Sequence, residues 1–132
     1  MVIFEIQYLH EFEGLLPVGK LLRNKKCLMQ RMERALERDS LIQREWPVLM
    51  ALLHDMANRR SLPESRCRRL RLRSCPGLSV FELKSKHLRL YVLREDFAGI
   101  VLVMGGRKTE QMEDLKTLQH LIVEYCQYRM KR

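Results

Sequence analysis

LSVFELKSKHLRLYVLREDFAGIVLVMGGRKT, residues Leu78–Thr109, is the stretch whose reading decides the fold. It contains three apolar runs separated by short polar turns. Phe81 and Leu83 alternate with Glu82 and Lys84, while Leu88, Leu90 and Val92 alternate with His87, Arg89, Tyr91 and Leu93. A period of two marks strands with one buried face. Lys84-Ser85-Lys86 has the length of a hairpin turn. Glu95-Asp96-Phe97-Ala98-Gly99 supplies a second turn, with a glycine available for positive φ. Ile100–Met104 reads as a fully buried central strand. The expectation is an antiparallel three-stranded meander whose polar face carries His87, Arg89 and Tyr91.

Working outward, Val2–Tyr8 reads as a first strand paired beside that meander. From Val18 to Arg38, Leu21, Leu22, Leu28, Met29, Met32, Ala35 and Leu36 recur at helical spacing with cations between them, which predicts an amphipathic helix. Asp39-Ser40 breaks it. Ser40 and Gln43 have capping-box spacing, but Pro47 is best tolerated in a first turn, so a second helix is expected to begin near Trp46 and end before Ser61-Leu62-Pro63. Two helices apolar on one side only form a hairpin on one sheet face and leave the opposite face for a ligand. Thr109 is the expected N-cap of a final helix with Met112, Leu115, Leu118, Leu121, Ile122 and Tyr125 as its apolar stripe. Glu110, Glu113 and Asp114 in its first turn, and Arg129, Lys131 and Arg132 at its end, match the helix dipole.

The expected fold class is therefore α+β: an N-terminal strand and two-helix hairpin, a three-stranded antiparallel meander completing a small, mostly antiparallel sheet, and a C-terminal helix. No repeat, linker or low-complexity tract divides the chain, so residues 1–132 are expected to be one domain.

Charge narrows the partner. The chain has 25 Lys plus Arg against 16 Asp plus Glu, a net charge of +9. Such an excess favours a polyanion, either nucleic acid or an acidic protein, through steering and counterion release. Seven arginines fall between Arg59 and Arg73 against the single acid Glu64. Within that run Arg68, Arg69, Arg71 and Arg73 belong to a short strand or an extended loop. Alone the run is a solvated connection; beside a sheet with its own cations it extends one basic surface.

Cys27, Cys67, Cys75 and Cys126 show neither a CxxC motif nor a Cys/His cluster, so neither metal binding nor a disulfide framework is expected. The thiols read as reduced core residues. No segment approaches the roughly 20 apolar residues of a membrane span, and the first residues lack a signal pattern. The expected compartment is the cytoplasm. His10, His54 and His120 are too dispersed for a ligand set, and no GxSxG nucleophile motif is present. Met29, Met32, Met50 and Met56, at helical spacing, read as core or as a partner groove.

The serial order of Leu62-Pro63, Phe81-Glu82-Leu83-Lys84, Leu88-Arg89-Leu90-Tyr91-Val92, Ile100–Met104 and Arg107-Lys108-Thr109 is similar to the RelE/ParE superfamily of bacterial toxins, particularly its HigB-like branch, over about Leu62–Tyr128. The resemblance implies the toxin component of a type II toxin–antitoxin system. Family members are small basic RNases that cut messenger RNA at the ribosome or, in the ParE branch, inhibitors of DNA gyrase, and a cognate antitoxin neutralises them. The resemblance puts Lys84, Lys86, Arg89, Arg107 and Lys108 at the functional surface. The chain departs from the family in its longer segment before Leu62, in Trp46-Pro47, and in supplying Tyr125 and Tyr128 rather than an aligned tyrosine or histidine just after Arg107-Lys108.

If the RNase branch applies, attack of a 2′-hydroxyl on its own phosphodiester needs proton removal, stabilisation of a dianionic phosphorane and protonation of the leaving 5′-oxygen. Arg89 and Arg107 suit the second task through their planar forks. His87 suits general acid–base work, with Lys84 or Lys86 as a substitute where neighbouring cations lower its pKa. Lys86, Lys108, Arg68, Arg69, Arg71 and Arg73 then line the RNA. No metal or organic cofactor is required. An ion pair of Arg89 with Glu82 is the structural alternative. A non-enzymatic gyrase inhibitor and a degenerate, partner-binding domain remain as alternative functions.

Overall fold

The computed structural model describes residues 1–96 and 98–131. Its elements in chain order are β1 (Phe4–Tyr8), β2 (Val18–Arg23), α1 (Gln30–Leu36), α2 (Ser40–Ala57), β3 (Cys67–Leu70), β4 (Leu78–Lys84), β5 (Leu88–Glu95), β6 (Gly99–Arg107), a 3₁₀ turn (Lys108–Glu110) and α3 (Gln111–Met130). Six strands make one mixed sheet in the order β1-β2-β6-β5-β4-β3. Neighbours run antiparallel except β2 and β6, which are parallel. The α+β class and the C-terminal helix match expectation. The meander is present as β4-β5-β6, but it forms only half of the sheet. Phe97, placed in the expected second turn, and Arg132, placed at the last helix end, lie outside the described residues.

The stretch read as one long helix from Val18 to Arg38 divides in two. Val18–Arg23 is a strand, and only Gln30–Leu36 is helical. Asn24 and Lys25 have φ of +49° and +67°, and Arg23 and Lys26 exchange backbone hydrogen bonds of 2.7 and 3.0 Å across them. That is the geometry of a two-residue turn with both central residues left-handed. β2 then fills the place beside β6 that was expected for the first strand, and β1 pairs only with β2, at the sheet edge. Tertiary pairing has overridden helical periodicity. Gly99, with φ of +90°, makes the parallel contact possible: a Cβ there would lie 2.4 Å from the Pro17 carbonyl oxygen, which accepts a hydrogen bond from the Ile100 N–H at 2.9 Å.

The helix expected from Trp46 starts six residues earlier. The Asp39 carboxylate caps it, accepting from the Leu41 and Ile42 N–H groups, so the cap is Asp39 and not a Ser40/Gln43 box. Pro47 sits inside α2; the carbonyl left without a donor is that of Gln43, an exposed residue that water can reach. At the other end Thr109 does not cap α3. The Arg107 N–H instead donates to Glu110 at 3.2 Å, and the chain enters α3 through the 3₁₀ turn.

Helices cover both sheet faces, which corrects the expectation of an open one. Leu83, Leu88, Leu90 and Val92 pack beneath α1 and α2 with Met32, Leu49 and Leu53. Val80, Tyr91, Leu93 and Val101 pack beneath α3 with Leu118, Ile122 and Tyr125. The alternation in β5 thus separates two cores, not a core from solvent, and Tyr91 is fully buried. Each fully buried leucine contributes roughly 1.5–3 kcal/mol. Met112, assigned to the stripe of α3, is 76% exposed; Asp114 is buried in its stead.

At a bulge in the β5–β6 ladder Tyr91 pairs with Met104 and Val92 with Leu102. Val103 is the extra residue, and both Val103 and Met104 enter the α3 core. The shift turns Gly105 towards Met32 of α1 and Gly106 towards Asp114 of α3. Cys75 and Cys126 form a disulfide that ties the segment after β3 to α3, against the expectation of four reduced thiols. Their separation of 51 residues hid the pairing from local spacing. Cys27 is a buried free thiol, and Cys67 is half-buried. Among the described residues no helix is long and apolar enough to cross a membrane.

Candidate functional site

The β4–β5 turn, Ser85-Lys86-His87, lies against α2 through one carboxylate. Glu45 projects from α2 and is 9% exposed. One of its oxygens accepts from the Ser85 hydroxyl at 2.5 Å and from the His87 N–H at 2.8 Å; the other lies 2.5 Å from His87 Nδ1. Ser85 Oγ in turn accepts from the Leu88 N–H at 3.2 Å. Burial acts to raise the Glu45 carboxyl, but the Ser85 hydroxyl and the His87 N–H and ring overcome it and hold the carboxyl at about 2. An ionised carboxylate can only accept, so Nδ1 carries the proton in this pair, and in the neutral form of the ring Nε2 is the acceptor. The His87 side chain is 47% exposed, and its Nε2 has no protein partner among the described residues.

Two cations adjoin this histidine. Lys86 is exposed beside it in the turn. Lys108 is also exposed, and its N–H donates to the His87 carbonyl at 2.8 Å, which brings the end of β6 against the hairpin tip. A carboxylate-held imidazole on a turn with basic neighbours has the chemistry to take a proton from a hydroxyl while nearby cations hold an anionic group.

The two arginines expected on the phosphate are engaged elsewhere. Arg89, read as an outward residue of a polar face, is 7% exposed. Its Nη1 donates to the Ser85 and Leu88 carbonyls, both at 2.8 Å, so it braces the same turn from within. Nor does it pair with Glu82. That fully buried carboxylate takes Arg68 at 3.3 Å and the Gln111 amide at 2.7 Å. Burial, with Glu82 and Asp114 nearby, pushes the Tyr91 phenol up. Arg107 pairs with Asp39, the cap of α2. Lys84, half-buried, lies opposite Arg89 in the ladder.

The arginine run does not form one surface. The Arg66 carbonyl accepts from the Lys84 N–H at 2.8 Å, so the start of β3 is near the hairpin tip. Leu70 pairs with Val80, five residues back along β4 and about 17 Å from the turn at strand rise. Arg71 and Arg73 lie beyond it, and both the N–H and the carbonyl of Arg73 bond the Gln119 side chain. Arg68, Arg69, Arg71 and Arg73 are all exposed, but it is the stretch about Arg66, where β3 begins, that lies near the hairpin tip.

Glu45 and Ser85 were missed by sequence reasoning. One signal was available: Glu45 shares the stripe of α2 with Ile42, Leu49, Leu52 and Leu53. A charged side chain on an apolar stripe must find partners when buried. Asp114 on α3 carries the same signal, and Arg31 satisfies it with contacts of 3.0 Å to both oxygens. Among the described residues no group of three or more His, Cys, Asp or Glu converges to hold a metal ion. Compared with protein-family models, with curated proteins and with solved structures, the chain gives no match, so its functional reading rests on this geometry.

Proposed function

We propose that this chain is a RelE/ParE-like toxin, of the HigB-like branch, that cleaves messenger RNA at the ribosome without a metal ion. The observation that supports the reading is the Glu45–His87 pair, which leaves Nε2 open on a turn that also carries Lys86 and that Lys108 meets through its backbone N–H. Nε2 of neutral His87 removes the 2′-hydroxyl proton, and the 2′-oxygen bonds to phosphorus. The P–O5′ bond then breaks, giving a 2′,3′-cyclic phosphate, and the 5′-oxygen takes a proton from an adjacent ammonium. Lys86 and Lys108 stabilise the phosphorane; the basic start of β3 tracks the backbone of the message. Arg89 and Arg107 act in this reading by holding the turn and the start of α2.

The test is translation in a bacterial extract, with cleavage read by primer extension. His87→Ala should reduce cut sites by roughly a hundredfold or more, the scale of losing a general base. Intact messages at high dose of the unmodified chain would refute the reading. In the cytoplasm, the compartment this reading implies, glutathione keeps thiols reduced, so cleavage should persist in dithiothreitol. The neutralising partner is a cognate antitoxin with an acidic segment that covers the basic face, in a complex that weakens as salt rises.

One observation favours the non-enzymatic alternative, a gyrase inhibitor: both arginines suited to a phosphorane are held by protein groups. Inhibited supercoiling with no RNA cleavage would select it.

A further inference from the structure

A second recess lies on the α1/α2 side of the sheet, and its lining includes neither Glu45 nor any residue of the His87 turn. Between α1, α2 and the loop joining β1 to β2 is a cleft of about 590 Å³, within the range of sites that take a ligand or an inserted side chain. Leu102 forms its floor, Trp46 and Met50, one turn apart on α2, form a wall, and Phe12 closes it from the loop. The loop is fixed in place. The Phe12 and His54 rings lie 4.6 Å apart, and the Leu16 N–H donates to the Ala57 carbonyl at 2.8 Å.

The rim reverses the charge of the rest of the chain. Glu11, Glu33 and Glu37 border it against one cation, Lys20. Lys20 is already taken by Glu33 at 3.2 Å. Glu11 and Glu37 are exposed and make no ion pair among the described residues, on a chain whose net charge is +9. An apolar, Met- and Trp-lined cleft favours an aliphatic or aromatic side chain. Two open carboxylates favour cations on either side of it.

We propose that this cleft docks a basic amphipathic segment of a partner protein, which seats an apolar side chain against Trp46, Met50 and Phe12 and presents Lys or Arg to Glu11 and Glu37. This partner is chemically opposite to the polyanion expected on the remaining surface. The site stands whether or not the chain cleaves RNA.

Trp46 is the only tryptophan of the chain, so its fluorescence reports on the cleft directly. The full chain is titrated with a helical Leu/Lys peptide and with its Leu/Glu counterpart. The Leu/Lys peptide should shift Trp46 emission to the blue and protect it from iodide. The Leu/Glu peptide, drawn to the basic surface, should leave that emission unchanged. Glu11→Lys combined with Glu37→Lys should weaken the Leu/Lys response roughly tenfold, as expected for two rim charge pairs, with circular dichroism unchanged because both positions are exposed. An equal Trp46 response to both peptides, or full binding by the double variant, would overturn the proposal. An emission shift that follows protein concentration without peptide would also overturn it, by identifying a second copy of the chain as the occupant.

Discussion

Glu45 and Asp114 are carboxylates on the apolar stripes of helices that pack against opposite faces of the sheet, and their surroundings drive them in opposite directions. Asp114 has the stronger formal partner, the Arg31 guanidinium, yet burial dominates and raises its carboxyl. Glu45 is held at about 2 against burial, chiefly by neutral donors from one turn, the Ser85 hydroxyl and the His87 N–H. The balance of burial against the donors, and not the formal charge of the nearest partner alone, sets the direction at each carboxyl. At Glu45 the Ser85 hydroxyl, the His87 N–H and the His87 ring with its charge together outweigh burial, whereas at Asp114 the Arg31 guanidinium, also bonded to the Gly105 carbonyl, does not. The contrast also separates a site from a strut. Glu45 organises a group with a free face, and Asp114 closes the end of the sheet.

The largest expected break of this contrast is Glu45→Ala. It leaves Ser85 Oγ and the His87 N–H without their acceptor and frees the His87 ring. Loss of about 3 kcal/mol is expected from two or three donors losing one buried ionised acceptor, read as a lowered urea midpoint at neutral pH. The pH dependence sharpens the test. A depressed carboxyl adds stability that is present above its unfolded value, 4.5, and is lost as pH falls towards about 2. Glu45→Gln should therefore show a shallower fall in stability between those limits than the unmodified chain. Parallel curves would remove Glu45 from the acid transition.

Arg89→Ala comes next. With its guanidinium braced on the Ser85 and Leu88 carbonyls, about 2 kcal/mol should be lost, and amide exchange in the turn should quicken. Full thermal stability in this variant would return Arg89 to the role of a surface ligand. Gly106→Ala tests the other region, because its Cβ would lie 2.2 Å from Asp114 Oδ2 and 2.6 Å from Arg31 Nη2. A cost of about 1–2 kcal/mol is expected, with Gly106→Ala and Asp114→Ala together costing less than their sum. Smallest of all is Asp114→Asn. Its raised carboxyl opposes folding once ionised, so at neutral pH the amide should change stability by less than about 1 kcal/mol. A loss as large as that of Glu45→Ala would erase the contrast.

The meander was legible because strand alternation, a short polar turn and the positive φ of Gly99 are all encoded within a few neighbouring residues. The turn is Ser85-Lys86-His87, one residue later than the expected Lys84-Ser85-Lys86, so that His87 lies in the turn and not on the strand. The first forty residues were less legible: Leu21, Leu22, Leu28 and Met29 satisfy a helical period as well as two strand faces, and only pairing with β6 chooses between them. The candidate site was half legible. His87, Lys86 and Lys108 could be picked out by residue type and place in the chain, but the burial of Arg89 could not, because an arginine on an alternating strand is exposed or enclosed according to what covers that face.

By itself the sequence determined the α+β class, the meander, the existence of helices between β2 and β6 and after β6, and the cationic character of the surface. These follow from composition and from periods of two and 3.6, which need no distant partner. Tertiary structure alone decided which charges are free. Glu45 meets the His87 N–H across 42 residues, Arg107 meets Asp39 across 68, and Arg31 meets Asp114 across 83. Each contact depends on the stacking of helices on a six-stranded sheet, and electrostatic energy depends on distance and burial in space, which separation along the chain does not record.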